Sequence, residues 1–291
     1  MCNMHHHGDS SEQASSGQGE KIAGMRRIKE QMEVQDALFA IKHKILVLSG
    51  KGGVGKSSVA ANLAVTLSRK GFKTGLLDTD LLAPSIPTLL GMLGKSPTQG
   101  NGRTNPVPFN NTLKVMSSGL LLHDDSERLA LRGQAKHNLI KEFFTSVAWG
   151  ELDYLVIDCP PGVSDEPLSV IQLLQDVDGA VIVTTPQELA LVDVRKSVTF
   201  CHDLKLPVIG IIENMSGHVC PHCGENTDIF KSGGGKQLAD EMGVPFLGRI
   251  PLDSAMVSAG DDGKPFMGIN RDTPADGAMR DVFEKVLAFA G

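Results

Sequence analysis

Aromatic residues are scarce in this sequence, which has one Trp, one Tyr and 11 Phe among its 291 residues. No apolar run approaches the ~20 residues that a membrane-spanning helix needs, and no segment resembles a signal peptide. Basic residues are in the minority, 28 Lys and Arg against 34 Asp and Glu, so the formal net charge is −6. A chain without a basic face is not expected to bind nucleic acid in general. We therefore predict neither a membrane nor a nucleic-acid partner.

Cysteine is sparse as well, and the five cysteines are an odd number. In a chain of this length, an odd count argues against a disulfide framework and for a reducing compartment, so we expect a cytoplasmic protein. The guanine-recognition signature N-K-x-D is also missing, which argues against a factor that uses GTP.

What the chain does have is a series of short apolar runs that alternate with helical patterns. The runs cover 44–49, 73–78, 112–117, 153–158, 179–185, 207–213 and 245–250. Continuous apolar strands fit a parallel sheet that is covered on both faces. We therefore predict an α/β fold, a doubly wound and mostly parallel sheet of about seven or eight strands with helices on both faces. Its functional site is expected at the carboxyl ends of the strands.

Three segments follow from composition. Residues 1–20 are rich in Ser, Gly, Gln and Glu and contain Cys2 and the triplet His5, His6 and His7, so we predict a disordered tail, either solvated or metal-binding. Residues 21–40 read as an amphipathic lead-in helix. Its apolar positions are Ile22, Met25, Ile28, Met32 and Phe39. Residues 41–291 form the main domain. At its end, the 278–290 pattern predicts a helix that packs on the sheet through Met279, Val282, Phe283, Val286 and Leu287.

The strongest motif is the stretch SGKGGVGKSS at 49–58, which lies between the first apolar run and a helical pattern. It matches the phosphate-binding loop G-x-x-x-x-G-K-[ST], in which backbone N–H groups and a helix N-terminus cradle phosphates. The predicted nucleotide-binding residues are Gly50, Lys51, Gly52, Gly53, Val54, Gly55, Lys56, Ser57 and Ser58. Lys56 is expected to reach the β- and γ-phosphates, and the Ser57 hydroxyl is expected to bind Mg²⁺.

Two acidic segments complete the predicted hydrolytic site. Asp158 ends an apolar strand and precedes Cys159 and the sequence Pro-Pro-Gly, as expected of a carboxylate that acts on Mg²⁺ through water. Asp80, after the second strand, is the candidate for orienting the attacking water, with Asp78 as a supporting residue. An aspartate at a strand end can also be a simple turn or helix cap.

Lys51 gives the loop a second lysine, and here the chain resembles the deviant Walker A ATPases of the MinD/ParA-like class. The resemblance implies ATP as the nucleotide and a two-fold homodimer in which Lys51 reaches the partner's nucleotide. It also implies that Asn214 holds the adenine base, although an asparagine at this point can be an ordinary turn residue.

The segment near 213–225 contains a single C-x-x-C, formed by Cys220 and Cys223. A closed tetrathiolate site needs four cysteines, and two copies of the chain would supply them at a dimer axis. The same sulfurs could hold Zn²⁺ between two chains. A mixed site within one chain that uses His218 and His222 would be crowded, and a thioredoxin-like redox pair lacks the expected helix context.

Several motifs together resemble the Mrp/ApbC/Nbp35 family of iron–sulfur cluster carrier ATPases over roughly residues 40–289. They are KGGVGKSS, DTDLLAPS, WGELDYLVIDCPPG, ENMS before CPHCG, and GRIPLD. The resemblance implies weak Mg-dependent ATPase activity and a [4Fe–4S] cluster that bridges a homodimer. It further implies transfer of this cluster to apo-protein clients, alongside assembly factors.

This chain departs from the family's usual pattern at Ala83, where glycine is common, and at Val163–Ser164, where Thr-Gly is common. Both positions are expected near the γ-phosphate, so they put the hydrolysis rate in doubt rather than nucleotide binding. The alternative function is a positioning or partition ATPase whose dimer is held by interchain zinc.

Overall fold

The computed structural model describes residues 10–121, 132–174, 176–220, 223–269 and 272–290, with side chains from residue 24 onward. The strands are β1 (Ile41–Ser49), β2 (Thr74–Asp78), β3 (Thr98–Gly100), β4 (Arg103–Asn105), β5 (Val107–Pro108), β6 (Leu113–Ser117), β7 (Leu152–Asp158), β8 (Gly179–Thr184), β9 (Val208–Val219), β10 (Asn226–Thr227) and β11 (Phe246–Leu252). The helices are α1 (Ser10–Leu38), α2 (Lys56–Arg69), α3 (Ile86–Leu89), α4 (Ser118–Leu121), α5 (Gly133–Thr145), α6 (Asp165–Leu173), α7 (Glu188–Asp203), α8 (Gly234–Met242), α9 (Ser254–Asp261) and α10 (Pro274–Ala290), with a 3₁₀ turn at Phe266–Gly268.

The main sheet has nine strands in the order β10-β9-β8-β1-β7-β2-β6-β5, and β11 also pairs with β9. All pairings are parallel except those of β5 and β10, which run antiparallel to their neighbours. The seven predicted strands are all present, and the predicted doubly wound α/β class is confirmed. The two antiparallel strands, each two residues long, account for the larger strand count.

Two hydrophobic clusters cover the two faces of the sheet, because successive side chains of a strand point to opposite sides. Ile45 and Val47 of β1 belong to the cluster that contains α2 and α10, whereas Leu46 and Leu48 belong to the cluster that contains α5, α6 and α7. All four side chains are almost completely buried. This explains why the central strands are apolar throughout rather than alternating.

Helix α10 packs on the sheet, as its sequence pattern predicted, and buries Met279, Val282, Phe283 and Val286. None of the helices within the described ranges is long and apolar enough to cross a membrane.

The lead-in helix differs from its prediction in extent and orientation. It begins at Ser10, inside the segment predicted to be disordered. Val34 and Leu38 are buried, whereas the predicted apolar positions Met25, Ile28, Met32 and Phe39 are exposed. The Gln31 amide donates to the Gln172 carbonyl at 2.7 Å, and ion pairs of Glu30 with His137 and Glu33 with Lys141 complete this contact.

Cys2 and His5–His7 lie outside the described residues. The division into tail, lead-in helix and main domain therefore remains a prediction.

Candidate functional site

The phosphate loop joins the carboxyl end of β1 to the first turn of α2, as the motif requires. Gly53 and Gly55 have φ values of 78° and 83°, in the left-handed region that glycine adopts at little cost. A Cβ on Gly55 would lie 2.3 Å from Asn214 Nδ2, and one on Gly50 would lie 2.4 Å from the backbone of Asp193. These glycines are required both by the turn and by the close approach of β9 and α7.

Lys56 and Asp158 form a buried ion pair at the centre of the site. The distance from Lys56 Nζ to Asp158 Oδ1 is 2.5 Å, and Lys56 Nζ also lies 3.3 Å from the Ser57 hydroxyl. The parallel register places Asp158 beside Val47 of β1 and beside Asp78 of β2, so the carboxylates meet at one edge of the sheet. Lys56, Asp158 and Asp78, which were predicted from separate motifs, therefore lie together in one site.

Asp158 Oδ2 has no hydrogen-bond partner, and it is the one such buried side-chain atom among the described residues. A buried carboxylate oxygen that lacks a donor is costly unless a ligand satisfies it. The Ser57 hydroxyl and the Asp158 carboxylate both lie near Lys56 Nζ, so hard oxygen donors converge here, which is the ligand type that Mg²⁺ prefers. The residues present fit a magnesium ion.

Burial governs the protonation of this cluster. Burial raises the pKa of Asp158, and the nearby Lys56 offsets only part of that effect. Burial and then the charge of Asp158 raise the pKa of Asp78 to about 8. For Lys56, burial favours the neutral amine, but the charge and hydrogen bond of Asp158 outweigh it, and the pKa is raised.

Asp78 and Asp80 differ in burial and in their hydrogen-bond partners. Asp78 is fully buried and accepts hydrogen bonds from the Ser117 hydroxyl at 3.0 Å and the Asp80 amide at 3.1 Å. Asp80 is half-buried, and its carboxylate accepts from the amide of Ala83 at 3.0 Å, so it closes a turn in this structure. The water-orienting role of Asp80 stays a prediction.

A cavity of about 540 Å³ opens beside the phosphate loop and is large enough for a nucleoside. Its lining includes Gly55, Asn214, Met215, Pro251, Leu252 and Met256. The Asn214 amide donates to the carbonyl of Val54 at 2.8 Å, so this side chain holds the loop and faces the cavity at once. Sequence reasoning selected Asn214 but missed the 251–256 segment as a wall, although GRIPLD was part of the resemblance.

Lys51 is half-buried in the loop, and its carbonyl accepts a hydrogen bond from the Ser49 hydroxyl at 3.0 Å. The Gly162 amide, in the loop after Asp158, donates to the Ser49 carbonyl at 2.8 Å. This contact brings the 159–164 segment, including the unusual Val163 and Ser164, to the mouth of the phosphate loop.

Cys220 and Cys223 lie in the turn that follows β9, the strand that contains Asn214. Cys220 and Cys223 are thiols, the first half-buried and the second exposed. The Gly224 amide donates to the Cys220 carbonyl, and the Cys220 amide donates to the Glu225 carbonyl, both at 2.9 Å, which forms a tight turn. His218 Nδ1 lies 3.1 Å from the Leu252 carbonyl, and His222 lies outside the described residues.

The other two described cysteines are structural in position. Cys159 and Cys201 are completely buried in the cluster that contains α7. Burial raises the pKa of Cys159 and raises that of Cys201 to about 12, so neither is a reactive thiolate at neutral pH. Within the described ranges, no group of three or more His, Cys, Asp or Glu side chains is placed to hold a metal ion.

Sheet order, glycine loop and the buried Lys–Asp pair together define a P-loop NTPase. The family model of NUBPL iron-transfer P-loop NTPases matches residues 40–287, and the chain belongs to this family.

Individual relatives agree with this assignment. The iron-sulfur cluster carrier protein of Methanocaldococcus jannaschii is 48% identical over 82% of each chain. The cytosolic Fe-S cluster assembly factor NUBP2 of Bos taurus is 46% identical over 86% of this chain and 94% of its own. The resemblance to iron–sulfur carrier ATPases is confirmed, and these names do not favour the positioning ATPase.

Solved structures support the fold. A nucleotide-binding protein of Archaeoglobus fulgidus in complex with ADP is 41% identical, with a TM-score of 0.72 over 81% of this chain and 92% of its own. The cell-division ATPase MinD of Pyrococcus furiosus has a TM-score of 0.63 over 85% of this chain and 99% of its own. At 21% identity, the likeness to MinD concerns the fold alone.

Proposed function

We propose that this protein is an ATP-dependent carrier that holds a [4Fe–4S] cluster between two copies of the chain and passes it to apo-proteins. The observation that carries this proposal is the course of the chain from Asn214 at the nucleotide cavity, along β9 to Val219, and into the turn that carries Cys220 and Cys223. One strand and the turn after it therefore connect the phosphate loop to a pair of soft ligands. Two relatives, one a cluster carrier and the other an assembly factor, support the same function.

The nucleotide proposal rests on the loop and the cavity. The backbone of residues 50–58 would cradle the phosphates, and the base would enter the cavity beside Asn214. The ADP complex of the Archaeoglobus fulgidus relative supports a nucleotide of this class. Ser57 and Asp158 would hold Mg²⁺, which neutralises the charge that develops on the phosphates.

Hydrolysis requires positioning and charge neutralisation more than covalent chemistry. Lys56 would reach the β- and γ-phosphates, and binding of the nucleotide would weaken its ion pair with Asp158. Asp80 would orient the attacking water only after leaving its turn contact with Ala83, and we therefore expect slow hydrolysis. Lys51 would complete the site of the partner's nucleotide.

The cluster is cargo in this proposal rather than a resident cofactor. Cys220 and Cys223 supply two thiolates per chain, and a [4Fe–4S] cluster is held by four. A homodimer with the two cysteine turns at its axis satisfies that number. An exposed position for Cys223 suits transfer, because a client's thiols must reach the cluster. Zinc shared by the same four sulfurs is the competing occupant.

Partners and location follow from this role. The proposed partners are a second copy of the chain, apo iron–sulfur clients and assembly factors. We place the protein in the cytoplasm because thiolate-bound clusters need reducing conditions, and the Bos taurus relative is named cytosolic.

Transfer is the experiment that tests the proposal. The protein would be loaded anaerobically with iron and sulfide and mixed with an apo-enzyme that is active only with a [4Fe–4S] cluster, in the presence of an iron chelator. We expect client activity to return with the wild type and not with the Cys220→Ala/Cys223→Ala variant. Equal recovery with both proteins, or none with a loaded wild type, would contradict a carrier role.

A further inference from the structure

A buried carboxylate closes the base of the excursion that carries the two cysteines. Glu213 is completely buried at the last position where β9 pairs with β8, beyond which β9 continues beside β11. It accepts hydrogen bonds from the Ser216 hydroxyl at 2.5 Å, from the Gly233 amide at 2.9 Å and from the Gly235 amide. The Arg249 guanidinium of β11 lies 3.3 Å from the same carboxylate. We call Glu213 together with these four donors the junction, because the carboxylate joins separate segments of the chain in the interior.

The donors come from both arms of the excursion. Ser216 belongs to the outgoing strand, whereas Gly233 caps α8 and Gly235 lies in its first turn, and Glu213 and Gly235 are 22 residues apart. We name residues 214–220 and 223–232 the cysteine hairpin. A Cβ on Gly235 would lie 2.9 Å from Glu213 Oε2, so glycine at that position permits the close contact. One carboxylate thus ties the two ends of the cysteine hairpin together.

The same junction is adjacent to the phosphate loop. Asn214 follows Glu213 directly and donates to the Val54 carbonyl inside the loop. Glu213 pairs with Thr184 of β8 in the parallel register, which fixes the backbone from which the Asn214 side chain extends. A displacement of Asn214 by a nucleotide would therefore act on backbone that the Glu213 carboxylate holds.

Between the junction and Cys220 the strand is bent rather than regular. Met215 has a φ of 56° and Gly217 a φ of 76°, and left-handed φ is unfavourable for a long side chain such as Met. The Met215 side chain lines the nucleotide cavity, and a Cβ on Gly217 would lie 2.9 Å from Asn226 on the returning arm. The bend is therefore maintained by contacts on both sides, one with the cavity and one with the cysteine hairpin.

We propose that Glu213 is a positioning residue that fixes the cysteine hairpin relative to the phosphate loop, so that nucleotide in the cavity alters access to Cys220 and Cys223. This inference rests on the proposed nucleotide binding and on the role proposed for the two thiols. It requires no bound iron, because the link consists of hydrogen bonds within one chain. Linkage makes the effect reciprocal, so that ligation of the thiols would change nucleotide affinity by the same factor.

Thiol alkylation measures this link directly. Rates of N-ethylmaleimide modification of Cys220 and Cys223 would be determined by peptide mass spectrometry, with and without Mg-ATP, in a Cys2→Ser background. Cys159 and Cys201 are buried and serve as internal references. We expect ATP to change the wild-type rates by about fivefold or more, within the usual range of coupling between sites. In Glu213→Gln this ratio should fall to about one, while the ATP dissociation constant stays within about threefold of the wild type.

Asp276→Asn is the matched control. Asp276 is also a buried carboxylate, but it belongs to α10, and its side chain pairs with Arg280 of the same helix at 2.5 Å. The control should keep the wild-type ratio. Ser216→Ala removes only the hydrogen bond from the outgoing strand to Glu213, and its ratio should lie between those of the wild type and Glu213→Gln. This variant serves as the test if Glu213→Gln does not fold.

The possible failures are distinguishable. Wild-type protein that binds ATP with unchanged alkylation rates overturns the inference alone, and so does a full nucleotide effect in Glu213→Gln or in Ser216→Ala. Wild-type protein that binds no ATP by calorimetry overturns both the inference and the proposed function.

Discussion

Removal of the Lys56 side chain should destabilise the protein through the carboxylate that it leaves behind. Lys56 and Asp158 are both buried, their atoms are 2.5 Å apart, and Asp158 Oδ2 already lacks a partner. Breaking a buried pair by removing one partner costs about 3–5 kcal/mol, because an uncompensated charge stays in the interior. Since single domains are commonly stable by about 5–15 kcal/mol, Lys56→Ala should be marginally stable at pH 8.

The cost should depend on pH in a defined direction. Without Lys56 the carboxyl group of Asp158, whose pKa burial already raises, gains a further reason to stay protonated. A raised pKa in the folded state means that stability is retained at low pH and lost as the pH rises through that pKa. We therefore expect the penalty of Lys56→Ala to be smaller at pH 6 than at pH 8.

A double-mutant cycle measures the pair. Urea unfolding of wild type, Lys56→Ala, Asp158→Asn and the double variant would be compared at both pH values. The double variant should be more stable than Lys56→Ala, with an interaction energy of about 2 kcal/mol or more at pH 8. Additive effects within about 0.5 kcal/mol, or a penalty that does not change with pH, would refute this account of the site.

Two further variants test neighbouring residues. Asp78→Asn should remove part of the pH dependence of the unfolding free energy. Because the pKa of Asp78 is raised to about 8, wild-type stability falls between about pH 4 and pH 8. The variant should therefore gain on the order of 1–3 kcal/mol of stability relative to the wild type by pH 8.5. An unfolding free energy that changes with pH in the same way in both proteins would contradict this. Gly55→Ala should weaken ADP binding by about tenfold or more, because its Cβ would lie 2.3 Å from Asn214 Nδ2 at a φ of 83°. A Cβ on Gly52 would have no atom within 4 Å, so Gly52→Ala should leave the melting temperature unchanged. Equal melting temperatures for Gly52→Ala and Gly55→Ala would count against the steric clash at Gly55.

Local sequence signals predicted the parts of the site that depend on short-range chemistry. The loop glycines are predictable because left-handed φ and close backbone approach demand them. Lys56 is predictable because it closes the phosphate-loop motif, and Asp158 because it ends an apolar strand. Their pairing was predictable only as far as parallel strands bring their carboxyl ends to one edge.

Other features depend on long-range contacts that no local pattern contains. Glu213 reads as an ordinary strand-end acid, and its role emerges only when Gly233, Gly235 and Arg249 return to it. The apolar positions of α1 do not show which of them pack, whereas the contacts with α5 and α6 bury Val34 and Leu38. The contact of Asp80 with the Ala83 amide likewise depends on the course of the loop that follows.

Iron stoichiometry after anaerobic reconstitution tests the central proposal most directly. Iron and sulfide would be added to wild type and to the Cys220→Ala/Cys223→Ala variant, and absorbance, iron content and oligomer mass would be measured on the same samples. A bridging [4Fe–4S] cluster predicts about four irons per dimer, and their loss together with the cysteines. A stable, stoichiometric zinc dimer that retains no iron, or full iron retention by the variant, would contradict it.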